Sequence, residues 1–101
     1  MWAQLIKVTL KPGKELAELA EQLQATEQPG SGLVRSTLMV DQNDPSEAYM
    51  LVVFETEEHA RAREQDPKRS EGLQTARATM AEIFAGPPQF TDLVVKQEWT
   101  G

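Results

Sequence analysis

The stretch AYMLVVFE, residues 48–55, constrains the fold more than any other part of the chain. A strand points successive side chains to opposite faces. Tyr49, Leu51 and Val53 therefore share one face, and Met50, Val52 and Phe54 share the other. Both faces are apolar. LVRSTLMVD, residues 33–41, behaves alike, with Val34, Leu38 and Val40 opposite Leu33 and Met39. An antiparallel sheet with one face in water alternates apolar and polar residues. These strands do not, so both faces of their sheet need cover.

The remaining segments supply the partners. WAQLIKVTL, residues 2–10, sets Ile6, Val8 and Leu10 against Leu5, Lys7 and Thr9, the period of a strand. KPG at 11–13 ends it. From Lys14 to Gln28 the period lengthens. Leu16, Leu19, Ala20 and Leu23 form one helical stripe, which Pro29, Gly30 and Gly32 stop. QNDPSE, between the second and third strands, is a short polar turn and predicts an antiparallel hairpin. It lacks the glycine bend and the later glutamate of a calcium loop.

Thr56 is a good helix cap, and Glu57 and Glu58 suit the positive end of a helix dipole. Asp66-Pro67 reads as a second cap with proline at the first helical position. Leu73, Ala76, Met80, Ile83 and Phe84 form another apolar stripe, and Ala85-Gly86-Pro87-Pro88 stops it. FTDLVVKQEW, residues 90–99, is the last strand.

The order β-α-β-β-α-β predicts a single α+β domain over residues 1–101. It is ferredoxin-like, with four antiparallel strands and the helices on one face. The helices cover one face of the sheet, and no further element remains for the other. A second copy stacked sheet to sheet is the economical cover, so the pattern predicts a homodimer.

Composition excludes several functions. The net charge of −6 argues against nonspecific nucleic-acid binding. With no cysteine there is no disulfide, cysteine zinc site or thiol nucleophile. His59 is the only histidine and cannot build a histidine metal site, so neither metal nor cofactor is expected. No apolar run is long enough to span a membrane. The start, MWAQLIKVTLKPGKE, reaches Lys7, Lys11 and Lys14 without the apolar core of a secretory signal. The expectation is a cytoplasmic protein.

KVTLKPGKE leading into an amphipathic helix, then PGSGLV, a strand ending in DQNDP, and AYMLVVFETEEHARA resemble the antibiotic biosynthesis monooxygenase-like family, of the dimeric α+β barrel superfamily. The resemblance covers nearly the whole chain. It implies a homodimer with the strands of both subunits in a shared barrel, and a pocket between sheet and helices in each. The family includes cofactor-free monooxygenases of aromatic polyketide quinols, haem-degrading monooxygenases and quinone-modifying enzymes. Phe54 stands where many members carry tryptophan. Ile6 and Leu73 stand near the asparagine and histidine of the haem-degrading branch, so those residues do not carry over.

Candidate site residues follow, each with two readings. His59 is a base near neutral pH, or a polar residue at a helix start. Arg35 holds an anionic or quinone-like oxygen, or pairs with an acid across a dimer. Tyr49 joins them as a third catalytic candidate. Trp2, Phe54, Met80, Phe84 and Trp99 line a pocket for a small aromatic ligand, or pack core and interface. The segment from Arg61 to Arg77 holds five of the ten basic residues, either an anion-attracting rim or a charged helix face. Two functions compete. One is a cofactor-free monooxygenase acting on a quinol-type substrate. The other is a non-catalytic dimeric module that binds a small ligand or a partner.

Overall fold

The structure is a computed structural model; it describes residues 1–27 and 30–101, and Glu18 by its backbone alone. Its elements are β1 (Trp2–Thr9), α1 (Ala17–Ala25), β2 (Leu33–Val40), β3 (Glu47–Phe54), α2 (Glu57–Glu64), a 3-10 turn (Pro67–Arg69), α3 (Ser70–Ile83) and β4 (Gln89–Val94). All strand pairs are antiparallel, in the order β2-β3-β1-β4. This is the expected ferredoxin-like α+β arrangement. β1 and β3 are the central strands.

Short-range chemistry sets the element ends. Thr56 caps α2, its Oγ1 accepting from the His59 N–H at 3.1 Å. Asp66 caps the 3-10 turn, accepting from the Lys68 N–H at 2.9 Å, with Pro67 next. The β2–β3 turn is closed by Asp41, whose Oδ1 accepts from the N–H groups of Asn43 and Asp44 at 2.8 and 3.2 Å. α1 starts at Ala17 rather than at Lys14. A turn through Gly13 (φ 77°) intervenes, and the Lys14 N–H donates to the Lys11 carbonyl at 3.1 Å. The expected helix end at Gln28 and the stop at Pro29 lie outside the described residues.

The core forms two groups on the helix side of the sheet. Val8, Leu10, Leu16, Leu19, Ala48, Ala76 and Ile83 make one, and Trp2, Val52, Phe54 and Ala60 the other. Leu19 is 1% exposed, so Leu19→Ala is expected to cost about 2–5 kcal/mol. α1 and α3 pack on one another and meet the sheet through Leu16, Leu19, Ala76 and Ile83, which leaves part of the space between the layers open. Consequently Ile6, Leu23, Leu33, Met50 and Met80 sit between the layers yet stay only half-buried.

The last strand corrects the expectation of a strand to Trp99. β4 ends at Val94, which pairs with Trp2 at the start of β1. Beyond it the Val95 N–H reaches the Met1 carbonyl at 3.1 Å, and among the described residues no strand pairs with the chain further on. The C-terminal arm instead turns back over the face opposite the helices, where Glu98 meets Arg35 of the far edge strand at 2.7 Å. Arg35, Val53, Ala3 and Leu93 form one cross-strand row. Val53 and Ala3 in that row are 3% and 4% exposed. An element of the chain itself thus supplies part of the second face's cover, contrary to the reading that none was left. Met39 and Leu93 remain partly exposed on that face.

Candidate active site

The gap between the sheet and α1 and α3 is a cavity of about 680 Å³. Its floor is the helix-facing row of the sheet: Trp2, Gln4 and Ile6 of β1, Met50, Val52 and Phe54 of β3, Ser36 and Leu38 of β2, and Phe90 of β4. Leu19, Ala20 and Leu23 of α1 and Leu73 and Met80 of α3 form the roof. Phe84 and Pro88 close one part of the wall. The lining is mostly apolar, with Gln4, Ser36 and Gln24 as isolated neutral polar groups.

Charge gathers where α2 and the 3-10 turn meet the end of α1. Arg63 grips Glu27 with two nitrogens, Nε at 3.1 Å from Oε2 and Nη2 on Oε1. The Arg63 guanidinium also lies 5.3 Å from the Phe54 ring centroid. This ring contact joins the charged pair to the apolar floor. Arg69 is 4% exposed and lies on the same wall. Its Nη1 donates to the Arg63 carbonyl at 3.1 Å and its Nη2 to the Thr26 hydroxyl at 3.3 Å. Its Nε is buried and finds no partner among the described residues. Burial, and then the charge of Arg63, push the Arg69 guanidinium below its ordinary value, and Glu27, Asp66 and Glu64 pull the other way. A guanidinium hydrogen-bonded by neutral oxygens leaves part of its desolvation cost uncompensated.

A second network frames Trp2. Arg61 lies 5.2 Å from the Trp2 ring and pairs with Glu57 and Glu64 at 3.3 Å and with Asp92 at 3.2 Å. The Glu57 bond in particular holds the Arg61 guanidinium above its ordinary value. Asp92 accepts in turn from Gln4 at 3.1 Å. The indole is thereby fixed on its outer side by charge and on its inner side by Phe54, whose ring centroid is 6.3 Å away.

Of the residues expected in a pocket, Trp2, Phe54, Met80 and Phe84 line this cavity. Trp99 does not; it lies in the arm and is 78% exposed. Arg35 belongs to the opposite face, bound to Glu98. His59 is also off the cavity wall. Its Nδ1 lies 2.6 Å from the Thr56 hydroxyl, and its ring packs against Gly32. Tyr49 borders the cavity from β3, but its pairing with Lys7 and Met39 puts its side chain on the other face, so it presents backbone there.

Glu27 escaped the sequence reading, and Arg63 and Arg69 entered it only as members of the basic segment from Arg61 to Arg77, either an anion-attracting rim or a charged helix face. A signal existed for Arg69. It stands one turn before Leu73, at the head of the Leu73, Ala76, Met80 stripe, so the stripe begins with a charge. Arg63 likewise follows the inward-facing Ala60 by three residues. Among the described residues, no group of His, Cys, Asp and Glu is arranged to hold a metal ion.

Solved structures share this architecture. SnoaB, a cofactor-independent oxygenase from Streptomyces nogalater, aligns with a TM-score of 0.69 at 17% identity, over 96% of this chain and 94% of that one. Rv0793 from Mycobacterium tuberculosis aligns at 0.73 and 16% identity, over 98% of both chains. A structure described as an antibiotic biosynthesis monooxygenase aligns at 0.70 and 14% identity, over 96% of this chain and 100% of that one. The chain therefore has the fold of antibiotic biosynthesis monooxygenase-like proteins, as the sequence resemblance implied. No family model matches the sequence, and no curated protein matches it. No described helix is long and apolar enough to cross a membrane.

Proposed function

We propose that this chain is a cofactor-independent monooxygenase acting on a small, reduced aromatic or quinol-type compound held between sheet and helices. The observation that carries this reading is the 680 Å³ cavity, apolar over most of its wall and charged at one end. A similar fold serves SnoaB as a cofactor-independent oxygenase. In such a reaction the substrate is its own reductant. A ring CH2 and O2 become a ring C=O and water, and the ionised substrate supplies the electrons. The protein's tasks are to exclude bulk water, orient the ring and favour the ionised form. Trp2, Phe54, Met80 and Phe84 suit the ring. The cationic groups of Arg63 and Arg69 suit the developing negative charge, and Gln4 and Ser36 offer hydrogen bonds.

We extend the proposal to a homodimer formed through the open sheet face, where Met39 and Leu93 remain partly exposed beside the arm. Arg35, Tyr49, His59 and Trp99 would act in catalysis only if the second subunit brought them to a cavity. The test is oxygen uptake with anthrone-like and menadiol-like compounds, beside sedimentation of the free protein. Turnover above the spontaneous rate, lost in Leu73→Trp where the indole would fill the cavity, supports the reading. Ligand-dependent heat stabilisation without oxygen uptake favours the alternative, a non-catalytic ligand-binding module. No uptake and no stabilisation defeats both.

A further inference from the structure

We propose that the cavity selects an aromatic acid, with the Arg69 guanidinium as the partner of its carboxylate. The proposal rests on the cavity being a ligand site, and it adds the ligand's charge and the residue that reads it. Arg69 is 4% exposed, which is uncommon for an arginine without an acidic partner. Among the described residues no carboxylate reaches salt-bridge distance of it. A guanidinium carries five N–H donors and does not shed its proton in a protein. Among the described residues its two bonds go to the Arg63 carbonyl and the Thr26 hydroxyl, both neutral acceptors, and the buried Nε has none.

The nearby carboxylates are engaged elsewhere, Glu64 by Arg61 and Asp66 by the Lys68 N–H. Glu27 is engaged through both oxygens by Arg63. The cavity wall as a whole carries Arg63, Arg69 and Arg77 against Glu27 and Glu64, a surplus of one positive charge. A planar fork with spare donors matches the paired oxygens of a carboxylate better than the single oxygen of a phenolate. The rings of Trp2, Phe54 and Phe84 on the same cavity wall call for a flat apolar body attached to that acid.

Calorimetric titration of the full chain with 2-naphthoate and with 2-naphthamide tests this, since the two differ in charge and little in shape. Naphthoate is expected to bind at least about tenfold more tightly. Arg69→Gln should remove that preference, weakening the acid far more than the amide. Arg69→Lys keeps the charge without the fork and should retain part of the preference. Equal binding of acid and amide by the unaltered protein overturns the proposal, as does a preference that survives in Arg69→Gln. If Arg69→Gln does not fold, the acid-to-amide ratio of the unaltered protein and its reduction in Arg69→Lys decide the matter. Binding of the amide with no advantage for the acid defeats the charge assignment and leaves the cavity a ligand site. Binding of neither defeats both readings.

Discussion

Arg35 on β2 and Glu98 in the C-terminal arm meet at 2.7 Å across the sheet face that the helices leave open. The contact joins the two ends of the cross-strand order, because the arm leaves from β4 and β2 is the opposite edge. It holds the arm above Ala3 and Val53, which an open central pair of strands would otherwise expose. Both partners keep solvent access, with side chains 50% and 32% exposed. An ion pair in that setting contributes at most about 1 kcal/mol, and salt weakens it.

A charge-swap cycle measures the pair directly. Arg35→Glu and Glu98→Arg should each destabilise the fold by about 0.5–1 kcal/mol, and the double substitution should recover most of the loss. Urea unfolding at low salt gives the coupling. A coupling of zero would mean that the arm is not held through this pair.

Gly32 should resist any side chain. Its φ is +82°, a region that L-residues seldom adopt, and a Cβ there would sit 2.4 Å from the His59 ring. Gly32→Ala should therefore lower stability by more than about 1 kcal/mol. Adding His59→Ala should return only the ring's share of the steric loss, because the His59 Cβ, 2.6 Å from the same point, stays, and should leave the backbone part. Thermal unfolding of the single and double variants separates the two; equal losses in both would exclude the ring contact. This assigns His59 a definite structural task at the junction between β2 and α2.

Gly72 offers a change of sign. Glycine inside a helix is ordinarily worse than alanine by about 1 kcal/mol. Here a Cβ would lie 2.5 Å from Cγ2 of Thr26, so Gly72→Ala should destabilise. Thr26→Ser removes that methyl group and keeps the hydroxyl that donates to Leu23 and accepts from Arg69. In the Thr26→Ser background, Gly72→Ala should become neutral or stabilising. Denaturation midpoints of the four proteins check it, and destabilisation of equal size in both backgrounds would contradict the contact.

Much of the fold is legible because its signals are local. The period-two and helical stripes mark the strands and helices, and Thr56 and Asp66 cap where their side chains predict. The arm is not legible, because VVKQEW has the same alternation whether or not a neighbouring strand exists beside it. Only the start of β1 at Trp2 decides that β4 must end at Val94. The site divides in the same way. Trp2, Phe54, Met80 and Phe84 follow from strand faces and a helical stripe. Arg69 depends on Thr26, 43 residues away in sequence, and no periodicity reports a bond of that range.

The placement of the cavity also decides how the molecule loosens. α1 and α3 grip each other and meet the sheet through Leu16, Leu19, Ala76 and Ile83 on Val8 and Ala48, while elsewhere the cavity separates the two layers. The pair should lift as one unit. Amide hydrogens of the two helices should then exchange together, at a lower free energy of opening than those of β1 and β3. A ligand bridging the two layers would merge these separate openings into one, turning a two-storey molecule into a single block.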